Sequence, residues 1–396
     1  MELSSLCVKE NATQQQVHPH ILPIYASSSY VFEDIEDSIE VFEGKKSGYV
    51  YSRYGNPTVD SVNEKIRRME SIEVHDDTFA AMTSSGMSAI STLLSTLLNS
   101  GDAVLTQANI YGGSSELLYK FYSEKGIKIV IDDFSNLNEV KSTLEKNPSI
   151  KLIFLETPTN PTLDCVDLRA IASLSKDYGV TTMVDNTFCT PLIQRPLGLG
   201  IDFVIHSTTK YLNGHGNSIA GAIIGHSSHP LKNKILENLR LLGSTCNPWD
   251  AWLTHNGLKT LALRMKAHSE NSLMLAEALI DHPKIGKINH LGIAHHPYHD
   301  IASKQMSMYG GMMSFEVGNS IDDVKNFVNN LRFITQAPTL GDVDTLILHP
   351  ATSSHRNIDR EVRLKYGISD TLVRVSVGIE AAEDIIADVI QALNKI

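Results

Sequence analysis

Cysteine is scarce in this sequence. Cys7, Cys165, Cys189 and Cys246 are the only four in 396 residues, and no two have CxxC spacing. A chain this long with so few cysteines is not a disulfide scaffold; four reduced thiols in a cytoplasmic protein are expected. Long apolar runs are also missing. No stretch approaches the ~20 residues a membrane-spanning helix needs, and the N-terminal MELSSLCVKENATQQQ has no basic segment followed by an apolar one. Positive charge is in deficit, with 34 Lys and Arg against 45 Asp and Glu, a net charge of -11. The two signs are interspersed. That disfavours nucleic acid and anionic membranes as partners. Internal repeats and low-complexity segments are absent.

What the chain does have is enough apolar residues, 42%, to build a large core, and a length that suits two domains sharing one site. Residues 1–50 read as an irregular arm that packs against something else. From 51 to 245, short apolar runs alternate with helical periodicity. FAAM (79–82), DAVLT (102–106), IKIVID (127–132), KLIFLE (151–156), VTTMVD (180–185), DFVIHS (202–207) and AGAIIG (220–225) read as strands. Helices are expected at 61–70, 87–98, 114–126, 136–146 and 168–179. This alternation predicts an α/β domain whose mainly parallel sheet is covered by helices on both faces. Residues 246–396 read as a smaller α+β domain: long helix over 250–280, broken or bent near Gly257, strands at 312–317 and 372–377, and an amphipathic helix over 382–396.

Two polar residues stand where α/β proteins bind ligands, just past strand ends. Lys210 lies in DFVIHSTTKYLNGHG (202–216), between an apolar strand and a glycine-rich stretch, which is not the setting of a solvated surface lysine. Asp185 ends VTTMVD. A lysine amine can form a Schiff base with pyridoxal phosphate (PLP), and a carboxylate can keep the cofactor's pyridine nitrogen protonated. Asp185 alone could equally be a turn or helix cap. TSSGMSAI (83–90) places Ser85, Gly86 and Met87 at a helix start, where free N–H groups attract an anion; Ser207 and Thr209 could add hydroxyls to the same phosphate. There is no Walker loop and no GxGxxG, so nothing supports nucleotide binding.

Together with YSRYGNPT (51–58), SSGMSA (84–89), YGG (111–113), ETPTNP (156–161), VDNTF (184–188) and RVSVGIE (374–380), the lysine segment resembles the trans-sulfuration (Cys/Met metabolism) family of fold-type I PLP enzymes along nearly the whole chain. The resemblance implies a fold-type I transferase with a seven-stranded sheet. It implies that Lys210 carries the cofactor, Asp185 and Thr187 sit at its ring, Tyr111 stacks on the ring and assists proton transfer, and Ser85, Gly86, Met87, Ser207 and Thr209 hold its phosphate. Tyr51 and Arg53 would reach the phosphate of a neighbouring subunit, so that a dimer is obligatory and a tetramer, as a dimer of dimers, is usual. Asn160 would touch cofactor or substrate, and Thr339 would line the substrate pocket. Arg374 would clamp the substrate α-carboxylate through its two-donor fork.

Within that family the chain looks most like the homoserine-ester sulfhydrylases, on the segments LGDVDTLILHPATSSH (340–355) and YGISDTLVRVSVGIE (366–380). Cystathionine lyases and synthases usually carry a glutamate before serine-leucine-glycine-glycine; here the run is PTLGD, with Pro338 in the glutamate's place and Asp342 replacing the second glycine. Methionine γ-lyases usually carry cysteine after Tyr-Gly, where this chain has Gly113. The reading is γ-replacement on an O-acylhomoserine by sulfide or a small thiol. The alternatives are γ-elimination from methionine or cystathionine, and cystathionine γ-synthesis. The 16 histidines, including the groups His295, His296, His299 and His349, His355, show no zinc spacing and read as surface or loop residues, so no metal is expected.

Overall fold

The computed structural model of the chain describes residues 2–9 and 19–396. Seven strands, β1 (Thr78–Thr83), β2 (Ala103–Thr106), β3 (Lys128–Ile131), β4 (Ile150–Glu156), β5 (Thr181–Asp185), β6 (Phe203–His206) and β7 (Gly221–His226), pair in the order β1-β7-β6-β5-β4-β2-β3. Each lies within about two residues of the segment expected for it. Only β7 runs against the rest. It is antiparallel to both β1 and β6, so the C-terminal ends of those two strands lie on the same side with β7 between them. β4, β5 and β6 are almost wholly buried, as strands covered on both faces must be. One face packs Val104, Phe154, Met183, Phe203 and Ile205 against the helix Gly86–Leu97. The other packs Ile153, Leu155 and Val184 against the helix Leu168–Tyr178.

A second sheet of five strands follows: β8 (Ile285–Asn289), β9 (Met312–Val317), β10 (Thr335–Gln336), β11 (Leu346–Leu348) and β12 (Leu372–Ser376), in the order β10-β11-β12-β9-β8. It is mostly antiparallel and packs against the C-terminal helix Ala382–Leu393 through Val373, Val375, Ile385 and Val389. The helical stretch expected over 250–280, broken or bent near Gly257, is two helices, Pro248–Leu258 and Leu261–Leu279, with the break at Lys259 and Thr260. Gly257 lies within the first of them. It is packed so closely on the backbone of Asn213 that a side chain there would collide with it.

The N-terminal segment is less irregular than expected. The helix Leu3–Lys9 buries Leu6 and Cys7 in the chain's own core, together with Leu22. Residues 10–18 of the expected arm lie outside the described residues. Further on, the helix Ile35–Phe42 is capped by Asp34 and is amphipathic, yet buries none of its residues; Val31 is 98% exposed and Ile35 73%. An apolar face without cover of this kind marks a contact surface. No helix among the described residues is long and apolar enough to cross a membrane.

Candidate active site

The site forms where the C-terminal ends of β4, β5 and β6 meet the start of the helix Gly86–Leu97 and one edge of the second sheet. Asp185 is the last residue of β5, in register with Ile205 of β6 and Glu156 of β4. Its Oδ1 accepts hydrogen bonds from the Thr187 N–H at 3.0 Å and the Thr187 hydroxyl at 2.5 Å. The Thr187 hydroxyl in turn accepts the Ser207 N–H at 2.8 Å. This chain of bonds ties the aspartate to the lysine loop and leaves Oδ2 outside every described hydrogen bond. Burial raises the Asp185 carboxyl above its usual range, opposed by the two Thr187 donors and by His206.

Lys210 follows β6 in a turn closed by its own N–H to Ser207 O, 3.1 Å, and by Gly214 N–H to Lys210 O, 2.8 Å. Its Nζ donates to Thr339 Oγ1 at 2.9 Å. Burial, with the nearby Arg374 charge, pulls the ammonium down to about 8. A lysine so placed is a free amine, and so a nucleophile, at a far lower pH than one on the surface.

The anion cradle is built by close packing. Ser85 caps its helix by accepting the Ser88 N–H at 3.1 Å, which leaves the first N–H groups, at Gly86 and Met87, without intrahelical acceptors. A Cβ on Gly86 would lie 2.8 Å from Ser207 Cβ, so glycine is what allows the helix start to approach the lysine loop. Thr209 is committed to the residue before β7: its hydroxyl accepts the Ala220 N–H at 3.1 Å and donates to Ala220 O at 3.2 Å.

Arg374, on β12, is 4% exposed and reaches in from the second sheet. Its Nη2 donates to Thr339 O at 2.8 Å, its Nη1 to Asn160 Oδ1 at 3.4 Å, and its buried Nε has no partner. Burial lowers the guanidinium to about 10, against the pull of Tyr211 and Tyr111. A buried cation with an unused donor fits an anionic ligand group. Asn160 itself is buried, between the cis bonds Thr157–Pro158 and Asn160–Pro161. Tyr111 is 46% exposed, and its N–H donates to Glu156 Oε2 at 2.6 Å. Its ring leans toward Gly113, where a Cβ would lie 2.6 Å from Tyr111 Cε1 and 3.3 Å from Met87 Sδ.

Beside these residues a cavity of about 510 Å³ is lined by Thr209, Thr339, Leu340, Asp342 and Asp250 among others. Pro338 is exposed, and Asp344 does not line the cavity. Tyr51 and Arg53 stand apart from the group. Tyr51 bridges to Ser29; Arg53 donates to Arg240 O at 2.8 Å, and its guanidinium lies 4.8 Å from the Tyr54 ring centre.

Two features differ from the sequence reading or were missed by it. His296, His349 and His355 lie in loops, as expected, but are buried rather than at the surface, and burial lowers the pKa of each. His349 is tied to Thr352 and Asp370 O, and His355 to Ser354. No group of three or more His, Cys, Asp or Glu among the described residues could hold a metal. The second feature is acidic. Behind Asp185, the buried Glu70 and His206 are joined by a hydrogen bond of 2.5 Å, and Glu156 lies beside Asp185. The signal for Glu156 was an acidic residue closing an otherwise apolar strand.

A nucleophilic lysine, an aspartate with one free oxygen, a helix start with open N–H groups and a buried arginine with a spare donor define a PLP-binding α/β enzyme for amino-acid substrates. The Cys/Met metabolism PLP-dependent enzyme family model matches residues 4–394, and the chain belongs to that family. It is therefore a PLP-dependent trans-sulfuration enzyme of fold-type I. It is 42% identical over 376 residues to an L-methionine gamma-lyase of Fusobacterium nucleatum subsp. polymorphum, covering 95% of this chain and 93% of that one. It is 38% identical to an O-succinylhomoserine sulfhydrylase of Pseudomonas aeruginosa, covering 98% and 94%. The crystal structure of a cystathionine gamma synthase from Xanthomonas oryzae pv. oryzae superimposes with a TM-score of 0.93 at 35% identity, covering 100% of this chain and 98% of that one.

Proposed function

We propose that the enzyme catalyses γ-replacement on an O-acylhomoserine, with sulfide or a small thiol as the incoming group. The observation that carries this reading is the wall beside Lys210: Thr339 holds the lysine amine, and the position before it is Pro338, which offers no carboxylate to a distal ammonium. An uncharged acyl group suits such a wall better than a second amino-acid head group.

Each residue then has a task. Arg374 takes the substrate α-carboxylate on its open Nε edge and fixes the Cα–H bond relative to Lys210. The Asp185 Oδ2 would pair with the pyridine nitrogen of PLP, while the Gly86 and Met87 N–H groups and the Ser207 hydroxyl would hold its phosphate. Bound PLP supplies the electron sink that makes the α-proton acidic. Lys210, with its ammonium pulled down to about 8, takes that proton as a general base and passes protons on near neutral pH. Tyr111 covers the cofactor ring from the solvent side. The cavity of about 510 Å³ leaves room for the leaving acyl group and the entering thiol. Tyr51 and Arg53, which lack contact with their own chain's lysine loop, complete the phosphate site of a second subunit, and two such dimers form a tetramer.

A second reading, γ-elimination from methionine, is favoured by the 42% identity to a methionine gamma-lyase. One assay separates the two. The purified enzyme is given O-acetylhomoserine or O-succinylhomoserine with sulfide, methionine alone, and cystathionine alone, and homocysteine and 2-oxobutyrate are both measured. Homocysteine as the main product from an ester is the expected result. 2-Oxobutyrate from methionine at a higher kcat/KM than any ester reaction would replace the first reading with the second.

A further inference from the structure

Glu156 and Asp185 are lateral neighbours. They end adjacent parallel strands in the same register, so their side chains leave the same face of the sheet from backbones about 4.8 Å apart. Glu156 is buried and Asp185 half-buried, and two carboxylates so close with little water around them are both charged only at a cost. Their surroundings are unequal. Asp185 receives an N–H and an O–H from Thr187 on one oxygen, has the buried His206–Glu70 pair behind it, and keeps its other oxygen open. Glu156 receives backbone N–H groups from Tyr111 and Asn160, and no cation is among the groups that act on it. Its own N–H is held by Gln107 Oε1 at 2.9 Å, which fixes the strand end. Burial and the Asp185 charge both drive the Glu156 carboxyl well above the usual carboxylate range.

We propose that Glu156 is a positioning residue that stays uncharged beside a charged Asp185 and sets Tyr111 over the cofactor through the Tyr111 N–H. The bond from Tyr111 N–H to Glu156 Oε2, 2.6 Å, lies at the base of the helix Gly112–Leu117. It therefore fixes where the Tyr111 ring leaves the backbone. An uncharged Glu156 makes this bond without competing with Asp185 for the pyridinium charge. The inference rests on the reading of Asp185 as the partner of the pyridine nitrogen.

Glutamine keeps the acceptor oxygen and cannot ionise. Aspartate keeps the acid but is too short to reach Tyr111. In the holoenzyme, the infrared difference between wild type and Glu156→Gln should contain the C=O stretch of a protonated carboxylic acid at neutral pH. PLP affinity of the apoenzyme, from fluorescence quenching, should stay within about threefold for Glu156→Gln and fall roughly tenfold or more for Glu156→Asp. The near-ultraviolet circular dichroism of bound PLP should change in Glu156→Asp only. A difference spectrum showing only a carboxylate, or a Gln variant that loses PLP as badly as the Asp variant, would overturn the proposal. Melting of the apoproteins identifies variants that are merely misfolded, and the wild-type carbonyl band, followed as pH rises above neutral, then decides alone: persistence supports the proposal and disappearance refutes it. Asp185→Asn is the control for the underlying reading. If it leaves PLP affinity and the visible absorbance unchanged, the Asp185 reading itself fails, whatever Glu156 does.

Discussion

The hydroxyl of Thr339 accepts the ammonium of Lys210 at 2.9 Å, across a sequence separation of 129 residues. One partner belongs to the loop after β6, the other to the approach to β11. The same threonine's carbonyl holds Arg374. The amine proposed to bind the cofactor and the cation proposed to bind the substrate are thus spaced by a single residue.

The first prediction concerns that amine. With its ammonium lowered to about 8, Lys210 becomes the free nucleophile as pH rises through that value, and PLP capture by the apoenzyme should accelerate over the same range. The folded state then holds fewer protons than the unfolded chain between about 8 and 10.5, so this group's contribution to apoenzyme stability rises with pH across that window. Stopped-flow absorbance at several pH values measures the capture rate. Borohydride reduction followed by peptide mapping should place the label on Lys210, and Lys210→Ala should take none. A label on a different lysine would sink the assignment.

Gly113 gives the second. A side chain here meets the Tyr111 ring at 2.6 Å, so the ring must turn away. Gly113→Ala and Gly113→Cys should lower kcat by about tenfold while leaving the fold intact, and adding Tyr111→Phe should cost little more, since the two changes disturb one ring. Wild-type kinetics in Gly113→Ala would show that the ring is not placed as described.

A third prediction tests the shared phosphate site. Arg53→Ala and Lys210→Ala should each be inactive. Mixed and allowed to exchange subunits, they should recover activity, because half the sites of a hybrid dimer carry neither change. The uncovered face of the helix Ile35–Phe42 should be buried in the same contact, so charged substitutions at Ile35 and Phe42 should shift the enzyme toward monomer in sedimentation. Demonstrated hybrid dimers without recovered activity would refute the sharing.

The fourth concerns the pocket wall. Without a carboxylate at position 338, a distal ammonium enters unpaired, and a penalty of about 3 kcal/mol lowers the cystathionine kcat/KM roughly a hundredfold relative to O-acetylhomoserine. Pro338→Glu should recover part of that loss. Asp342 and Asp250 are the acidic residues that line the cavity, and Asp342→Asn and Asp250→Asn test whether either already serves in place of the glutamate. The idea fails if cystathionine has the highest kcat/KM of the substrates tried.

Much of this was legible in the sequence because it is local. The seven strands of the first sheet are apolar runs bounded by glycine and polar turns, and Lys210, Asp185 and Gly86 lie at their ends. What escaped has a non-local cause or a weak pattern. β8 (IGKIN) has two consecutive exposed residues and an irregular register at the sheet's edge, so it shows no clean alternation, and β11 is three residues long. The helix Lys232–Leu241 buries only Ile235 and Leu239. The pairing of Glu156 with Asp185 depends on strand register, and that of Glu70 with His206 on how a helix lies over the sheet; neither is encoded in spacing along the chain. His296, His349 and His355 stand in loops, but polarity alone does not show that they are buried there; His355 is held through Nδ1 by its neighbour Ser354.

The reversed strand β7 has a consequence for how this chain can be altered. Gly221, where it starts, is pressed against Ser85 O, so the cradle and the lysine loop are both set against that end of the strand. The other end, from His226 to the start of the helix at Lys232, lies beside the beginning of β1, a full strand length from the chemistry. A linker, a tag or a break in the chain at Ser227–Pro230 should therefore be tolerated, while lengthening the segment 216–220 by one residue should uncouple the two halves of the site. One antiparallel strand thus divides the sheet into an end that can be edited and an end that cannot.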